Sequence, residues 1–101
     1  MTFRTLTCDR LRRQLEGRIP PRIVDVRTAA EFGQFHLPSA INIPLAEIES
    51  RAAEIDPMVD HVVISEHGIR SFRACEWLAA HGYLKVINVL GGMAEFRFHH
   101  S

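Results

Sequence analysis

The sequence predicts an α/β domain: an open parallel sheet of five strands flanked by helices on both faces. Three observations lead there. Short β-branched runs alternate with stretches of helical periodicity along the chain, the order that builds a parallel sheet through crossovers. The runs Arg22-Ile23-Val24-Asp25-Val26, His61-Val62-Val63-Ile64 and Lys85-Val86-Ile87-Asn88-Val89 are nearly continuous in apolar character, as strands covered on both faces require. Finally, 101 residues, 47% of them hydrophobic, supply one core but not two. Residues 1–101 are therefore expected to form a single domain, with a tail loosely ordered from about residue 97.

Taken in order, Phe3-Arg4-Thr5-Leu6 reads as an edge strand. Thr7 can cap a helix from Cys8 to Leu15, with Leu11 and Leu15 inward and Arg10, Arg12 and Arg13 toward water. Pro20-Pro21 precede the strand Arg22 to Val26, and a helical segment Ala29 to Gln34 follows it. Ala40-Ile41-Asn42-Ile43 is a shorter strand, and Leu45 to Glu54 the next helix. After the strand His61 to Ile64, a helix runs from Ile69 to Ala80. In it Ala74, Cys75, Leu78 and Ala79 recur at three- and four-residue spacing as a stripe for the sheet, and His81-Gly82 supply the stop. Lys85 to Val89 is the last strand. Ligands of open parallel sheets bind beyond the carboxyl ends of the strands, so the segments after each strand are where chemistry is expected.

Composition narrows the partners. Twelve basic residues balance twelve acidic ones and no basic run occurs, so nucleic acid is not an expected partner. No apolar run approaches the ~20 residues of a spanning helix, and Met1-Thr2-Phe3-Arg4-Thr5-Leu6 has no signal-like character. A cytoplasmic protein with no membrane partner is the expectation. Cys8 and Cys75 lie in neither a CxxC pair nor a zinc-spaced cluster, which favours free thiols and no metal. His99 and His100 belong to the terminal tail and are not read as ligands. Nothing asks for a cofactor.

The segment Ser65-Glu66-His67-Gly68-Ile69-Arg70-Ser71 joins an apolar strand to the start of a helix. A helix N-terminus offers unpaired N–H groups and the positive end of its dipole, so a loop wrapped around it becomes an anion cradle. Gly68 lets the backbone turn inward with positive φ, and Arg70 brings a fixed charge with a bidentate fork.

This segment, with Val62-Val63-Ile64 before it, resembles the active-site loop of the rhodanese (sulfurtransferase) family, Cys-x-x-Gly-x-Arg-Ser, with serine at the cysteine position. Other stretches resemble the same family in the same order. Asp25-Val26-Arg27 followed by Glu31-Phe32 is similar to its Asp-Val-Arg segment. His36-Leu37-Pro38-Ser39-Ala40-Ile41-Asn42-Ile43-Pro44 is similar to its Gly-His-Ile-Pro-Gly-Ala-x-Asn-Ile-Pro stretch, and Asn88 to Phe96 to its Leu-x-Gly-Gly-x-x-x-Trp segment. Phe35 and Ser39 replace glycines, and Phe96 replaces tryptophan. The likeness is to the single-domain type.

That resemblance implies a rhodanese-like fold and a site made of Ser65 and Arg70, with Glu66, His67, Gly68, Ile69 and Ser71 as the substrate-binding loop. In active relatives the cysteine takes sulfane sulfur from a small anionic donor such as thiosulfate, forms a persulfide and passes the sulfur to a thiol or cyanide. Oxygen cannot carry sulfane sulfur through that cycle, so the Ser65 form is expected to be inactive. The residues leave open whether Ser65 is natural or a substitution for cysteine. They also leave open a non-catalytic module that binds an anion or a protein partner.

Rival chemistries fit less well. A serine hydrolase built on Ser65 and His67 lacks the Gly-x-Ser-x-Gly elbow, and His67 is read as a rim residue. Phosphatase relatives place five residues between the cysteine and the arginine, whereas four, Glu66 to Ile69, stand here. Asp25 and Arg27 are read as loop support, with an Arg27–Glu31 ion pair over the helix start as an equal reading. His36 is given a structural hydrogen bond, Gly91-Gly92 a close backbone approach near the site, and Cys8 and Cys75 structural roles.

Overall fold

The structure is a computed structural model describing residues 2–98. Its five strands are β1 (Arg4–Leu6), β2 (Arg22–Asp25), β3 (Ile41–Asn42), β4 (His61–Ile64) and β5 (Val86–Val89). They pair in parallel throughout, in the order β1-β5-β4-β2-β3. The helices are α1 (Cys8–Leu15), α2 (Ala29–Gln34), α3 (Ile48–Arg51), α4 (Ile69–Ala80) and α5 (Gly92–Phe98).

Side chains alternate across each strand and so feed two apolar layers. Ile23, Val62, Ile64, Ile87 and Val89 face Leu11 of α1 with Met93 and Phe96 of α5. Val24, Val63 and Val86 face Ile48 of α3 with Ala74, Cys75 and Leu78 of α4. The α4 stripe expected from its spacing is buried: Ala74, Cys75, Leu78 and Ala79 are all fully covered. Among the described residues no helix is long and apolar enough to cross a membrane.

Three local expectations need correction. Leu45 to Glu54 is not one helix but a single α-turn, α3, between 3₁₀ turns at Leu45–Glu47 and Ala52–Glu54. Arg12 does not point to water. It donates to the Phe96 carbonyl at 2.6 Å and lies 4.0 Å over the Phe96 ring, because α5 packs beside α1 and offers both an unpaired carbonyl and a π-face. Helix α5 itself carries no helical reading in the sequence, and Arg97 and Phe98 form its last turn. The rest of the tail expected to be loose, and with it His99 and His100, lies outside the described residues.

The strand order places the site. From β2 the chain steps outward to β3, and from β4 it steps the other way to β5. The carboxyl ends of β2 and β4 therefore flank the point where the winding reverses, where a crevice opens in folds of this kind. The loops that leave these ends begin at Val26 and Ser65.

Candidate functional site

Beyond β4 the chain enters the loop 65–68 and then α4, whose N-cap is Gly68 at φ 88°. That left-handed turn is open to glycine at little cost, and it folds the loop over the helix end. The Ser65 side chain is fully buried at the base. Its Oγ accepts from the N–H of Gly68 at 3.2 Å and of Ser71 at 3.0 Å, and donates to Ser71 Oγ at 2.9 Å. Among the described residues nothing accepts the N–H groups of Glu66, His67, Ile69 or Arg70. Those amides are the free donors of the bowl.

Helix α5 holds the loop from behind. The N–H of Met93 donates to the Ser65 carbonyl at 2.8 Å, and that of Ala94 to the Glu66 carbonyl at 2.9 Å. With its carbonyls turned toward α5, the loop has its amides available on the opposite side. The contact requires glycine: a Cβ on Gly92, at φ 61°, would lie 2.3 Å from Ser65 O and 2.6 Å from Glu66 O. Gly92→Ala is expected to cost about 2–3 kcal/mol, seen as a lower midpoint in urea, and to displace the amide resonances of Ser65 and Glu66. Unchanged resonances would show that the approach is not as tight as described.

The β2 side supplies a buried ion pair. Asp25 Oδ1 accepts the Arg27 N–H at 3.0 Å, and the Asp25 carboxylate accepts Arg27 Nη2 at 2.8 Å. Both side chains are almost wholly covered. Burial works against the Arg27 charge, but the hydrogen bond and charge of Asp25, with Glu66 and Glu31 behind it, outweigh it and hold the guanidinium above its usual range. Arg27 also donates to Phe35 O at 2.7 Å and reaches Glu66 at 3.5 Å. Asn42 of β3 donates to the carbonyls of Asp25 and Arg27, both at 2.9 Å, tying the β2 loop to the sheet edge.

An Arg27–Glu31 pair does not form. Glu31 closes a capping box with Thr28 at the start of α2 and holds Arg70 with both oxygens, at 2.8 and 3.0 Å. The competing partner wins because the box already aims the Glu31 carboxylate toward α4. The fork of Arg70 thus closes on Glu31 instead of standing open to a ligand. The hydrogen bond from Arg70 holds the Glu31 carboxyl down at about 2, against an ordinary 4.5. A group ionising lower in the folded chain adds stability above the unfolded value and loses it as pH falls through the folded one. With both side chains about a third exposed, screening trims this contribution to about 1 kcal/mol. The thermal midpoint is expected to drop as pH falls from 4.5 toward 2, and to drop less in Glu31→Gln; equal slopes would refute the pairing.

The remaining predicted residues divide between two sides of the loop. Glu66 faces Arg27, Glu31, Gln34, Phe35 and Arg97 around an open cavity of about 430 Å³. His67, Gly68 and Ile69 line another, with Phe72, Asn88 and Leu90. The Ser65 hydroxyl has its hydrogen bonds with Gly68 and Ser71, not with His67. His36 sits with Nδ1 2.9 Å from the Phe32 carbonyl and stacks on the Phe32 ring. Burial pushes the Cys8 thiol up to about 11, with Glu95 adding to it, and the Cys75 thiol up to about 12.

Sequence reasoning missed three parts of this site: the capping box, Asn42 and α5. The first was readable as Thr28-x-x-Glu31. For Asn42 no local signal exists, because its acceptors lie far away in the chain.

Comparison with known proteins agrees with this architecture. The family model of the rhodanese-like domain matches residues 7–99. A sulfurtransferase from Allochromatium vinosum is 38% identical over 77 residues, covering 76% of this chain and 72% of that protein. The crystal structure of a rhodanese-like domain protein from Staphylococcus aureus is 31% identical with a TM-score of 0.87, covering 93% of this chain and 91% of that one. A human single-domain sulfurtransferase is 28% identical with a TM-score of 0.81, covering 99% of this chain and 100% of that one. With a match along nearly the whole sequence, and five parallel strands in a fold shared with these structures, the chain belongs to the rhodanese-like domain family.

Proposed function

We propose that this domain carries a sulfane-sulfur transfer site with oxygen at the nucleophile's position, so that as it stands it receives a sulfur donor at the loop without turning it over. The observation that carries this reading is the buried Ser65 hydroxyl, at the base of the loop and accepting two main-chain N–H bonds. Sulfur at the same place would receive those bonds and the positive end of the α4 dipole, which favour thiolate over thiol. Such a thiolate would attack the outer sulfur of a small anionic donor of the thiosulfate class. The donor's S–S bond breaks, sulfite leaves with the electron pair, and a persulfide remains. A thiol or cyanide then attacks the outer sulfur of the persulfide and releases the thiolate.

A hydroxyl in this field keeps its proton near neutral pH, and here it gives that hydrogen to Ser71 Oγ. Glu66 to Arg70 form the binding loop in this reading. Arg70 acts through its pair with Glu31, Ser71 fixes the Ser65 oxygen, and Asp25 with Arg27 supports the loop. The buried, unpaired thiols of Cys8 and Cys75 suit a reducing cytoplasm.

The test is sulfur loading of Ser65→Cys, read as a mass gain of one sulfur atom and as thiosulfate:cyanide transfer. Gain of loading from thiosulfate or from an organic hydropersulfide supports the site; none from either donor in a folded variant removes it. A second reading, a protein-binding module, is favoured by apolar side chains standing exposed beside the loop, Ile69 at 64% and Leu90 and Phe72 at 44% each. A loading-dead Ser65→Cys together with a saturable protein partner would select it.

A further inference from the structure

The mouth of the loop is lined by ion pairs that leave no surplus of positive charge. Arg27 faces Asp25 and Glu66, Arg70 is held by Glu31, and Arg97 donates to Glu66. Among the described residues of this network three guanidinium groups meet three carboxylates. Glu31 stays ionised down to about 2, so its part of the balance holds throughout the neutral range. On this side of the loop, what remains to attract an anion is the set of free loop amides and the α4 N-terminus, roughly half a positive charge. That suits a ligand with one negative charge and falls well short of two.

Of the three carboxylates, two are needed by the fold. Asp25 anchors the Arg27 main chain, and Glu31 closes the α2 capping box. Glu66 does neither. Among the described residues its carboxylate pairs with the guanidinium groups of Arg27 and Arg97 alone, it follows Ser65 directly in the chain, and it lines the open cavity shared with Phe35 and Gln34.

We infer that Glu66 is a specificity-determining residue, whose charge turns doubly charged oxyanions away from the loop and leaves it to sulfane-sulfur donors carrying one negative charge or none, such as an organic hydropersulfide. The inference rests on the sulfur-transfer reading of the loop. In the Ser65→Cys form the thiolate attacks the outer sulfur of R–S–SH. The donor's S–S bond breaks, its electron pair leaves on R–S⁻, and the hydrogen stays on the transferred sulfur. No oxidant or reductant enters. Thiosulfate would have to bring two negative charges past Glu66 for the same step.

The experiment compares Ser65→Cys with Ser65→Cys/Glu66→Gln. Loading is followed by intact mass with two probes, thiosulfate and the hydropersulfide of 2-mercaptoethanol. Removing the charge is expected to raise the thiosulfate rate about tenfold, on the scale of one unit charge acting on a dianion near a protein surface. The hydropersulfide rate serves as the reference, and the ratio of thiosulfate to hydropersulfide loading is the quantity expected to rise. Thiosulfate loading should also be nearly flat with added salt in the Glu66 form and fall with salt in the Gln form, where a net positive charge appears. Equal changes for both donors would mark a structural effect and overturn the inference, as would an unchanged thiosulfate rate. Loading from neither donor in a folded Ser65→Cys protein would instead remove the transfer site itself, and this inference with it.

Discussion

Replacing Ser65 by cysteine is expected to give a chain that forms a persulfide at residue 65, where the Ser65 form is expected to load no sulfur. The gain is expected to be large because the position at the base of the loop, the N–H groups of Gly68 and Ser71 and the α4 dipole would all act on the new sulfur. The new thiol should titrate at about 7 or lower, as thiols at helix N-termini do. Cys8 and Cys75 serve as internal controls, since burial pushes them to about 11 and about 12. A thiol-alkylating reagent at neutral pH should therefore mark residue 65 and spare the other two. Loading should fall at pH values below the thiol's own pKa, where the thiolate is protonated. The larger sulfur replaces an oxygen packed against Ser71, at a cost of about 1 kcal/mol. Ser65→Ala should show no loading under any condition. A residue 65 thiol that alkylates no faster than Cys8 would overturn the expectation.

The largest loss of stability is expected at Asp25. Asp25→Ala leaves the Arg27 guanidinium buried without its main counter-charge and removes the acceptor of the Arg27 N–H. Breaking a buried pair from one side costs about 3–5 kcal/mol, because the remaining charge is desolvated and unpaired. For a chain of this length that is a fall in thermal midpoint of roughly 15 °C or more. Asp25→Ala/Arg27→Leu should recover a substantial part, since the stranded charge is gone. No recovery in the double variant would mean that the pair matters through loop geometry alone. A loss below about 1 kcal/mol in the single variant would show that water reaches the site.

Some of this architecture is legible residue by residue. Ile23-Val24, Val62-Val63-Ile64 and Val86-Ile87 announce buried strands because strands covered on both faces leave no polar alternation. The α4 stripe of Ala74, Cys75, Leu78 and Ala79 announces its buried face because helical spacing is a local property. The turn at Gly68 is legible for the same reason: the conformation it adopts, φ 88°, is one that side chains disfavour. Helix α5 is less so. Its seven residues begin at Gly92, and although Met93, Ala94, Glu95 and Arg97 favour a helix, so short a stretch does not hold one alone. They form a helix where Met93 and Phe96 can dock beside Leu11 and where the carbonyls of Ser65 and Glu66 can receive its first N–H groups.

By itself, then, the sequence determined the α/β class, the succession of strands, the loop 65–71 and the presence of oxygen at its base, all consequences of spacing and residue type within a few positions. Only the tertiary structure decided which carboxylate meets which guanidinium. Glu31 could have reached Arg27 nearby in the chain, yet it holds Arg70, while Arg27 is held by Asp25 and Glu66. Charged side chains are long and their partners interchangeable on paper. The choice follows from where the parallel sheet brings the ends of β2 and β4 together and from the direction in which the capping box turns the Glu31 carboxylate.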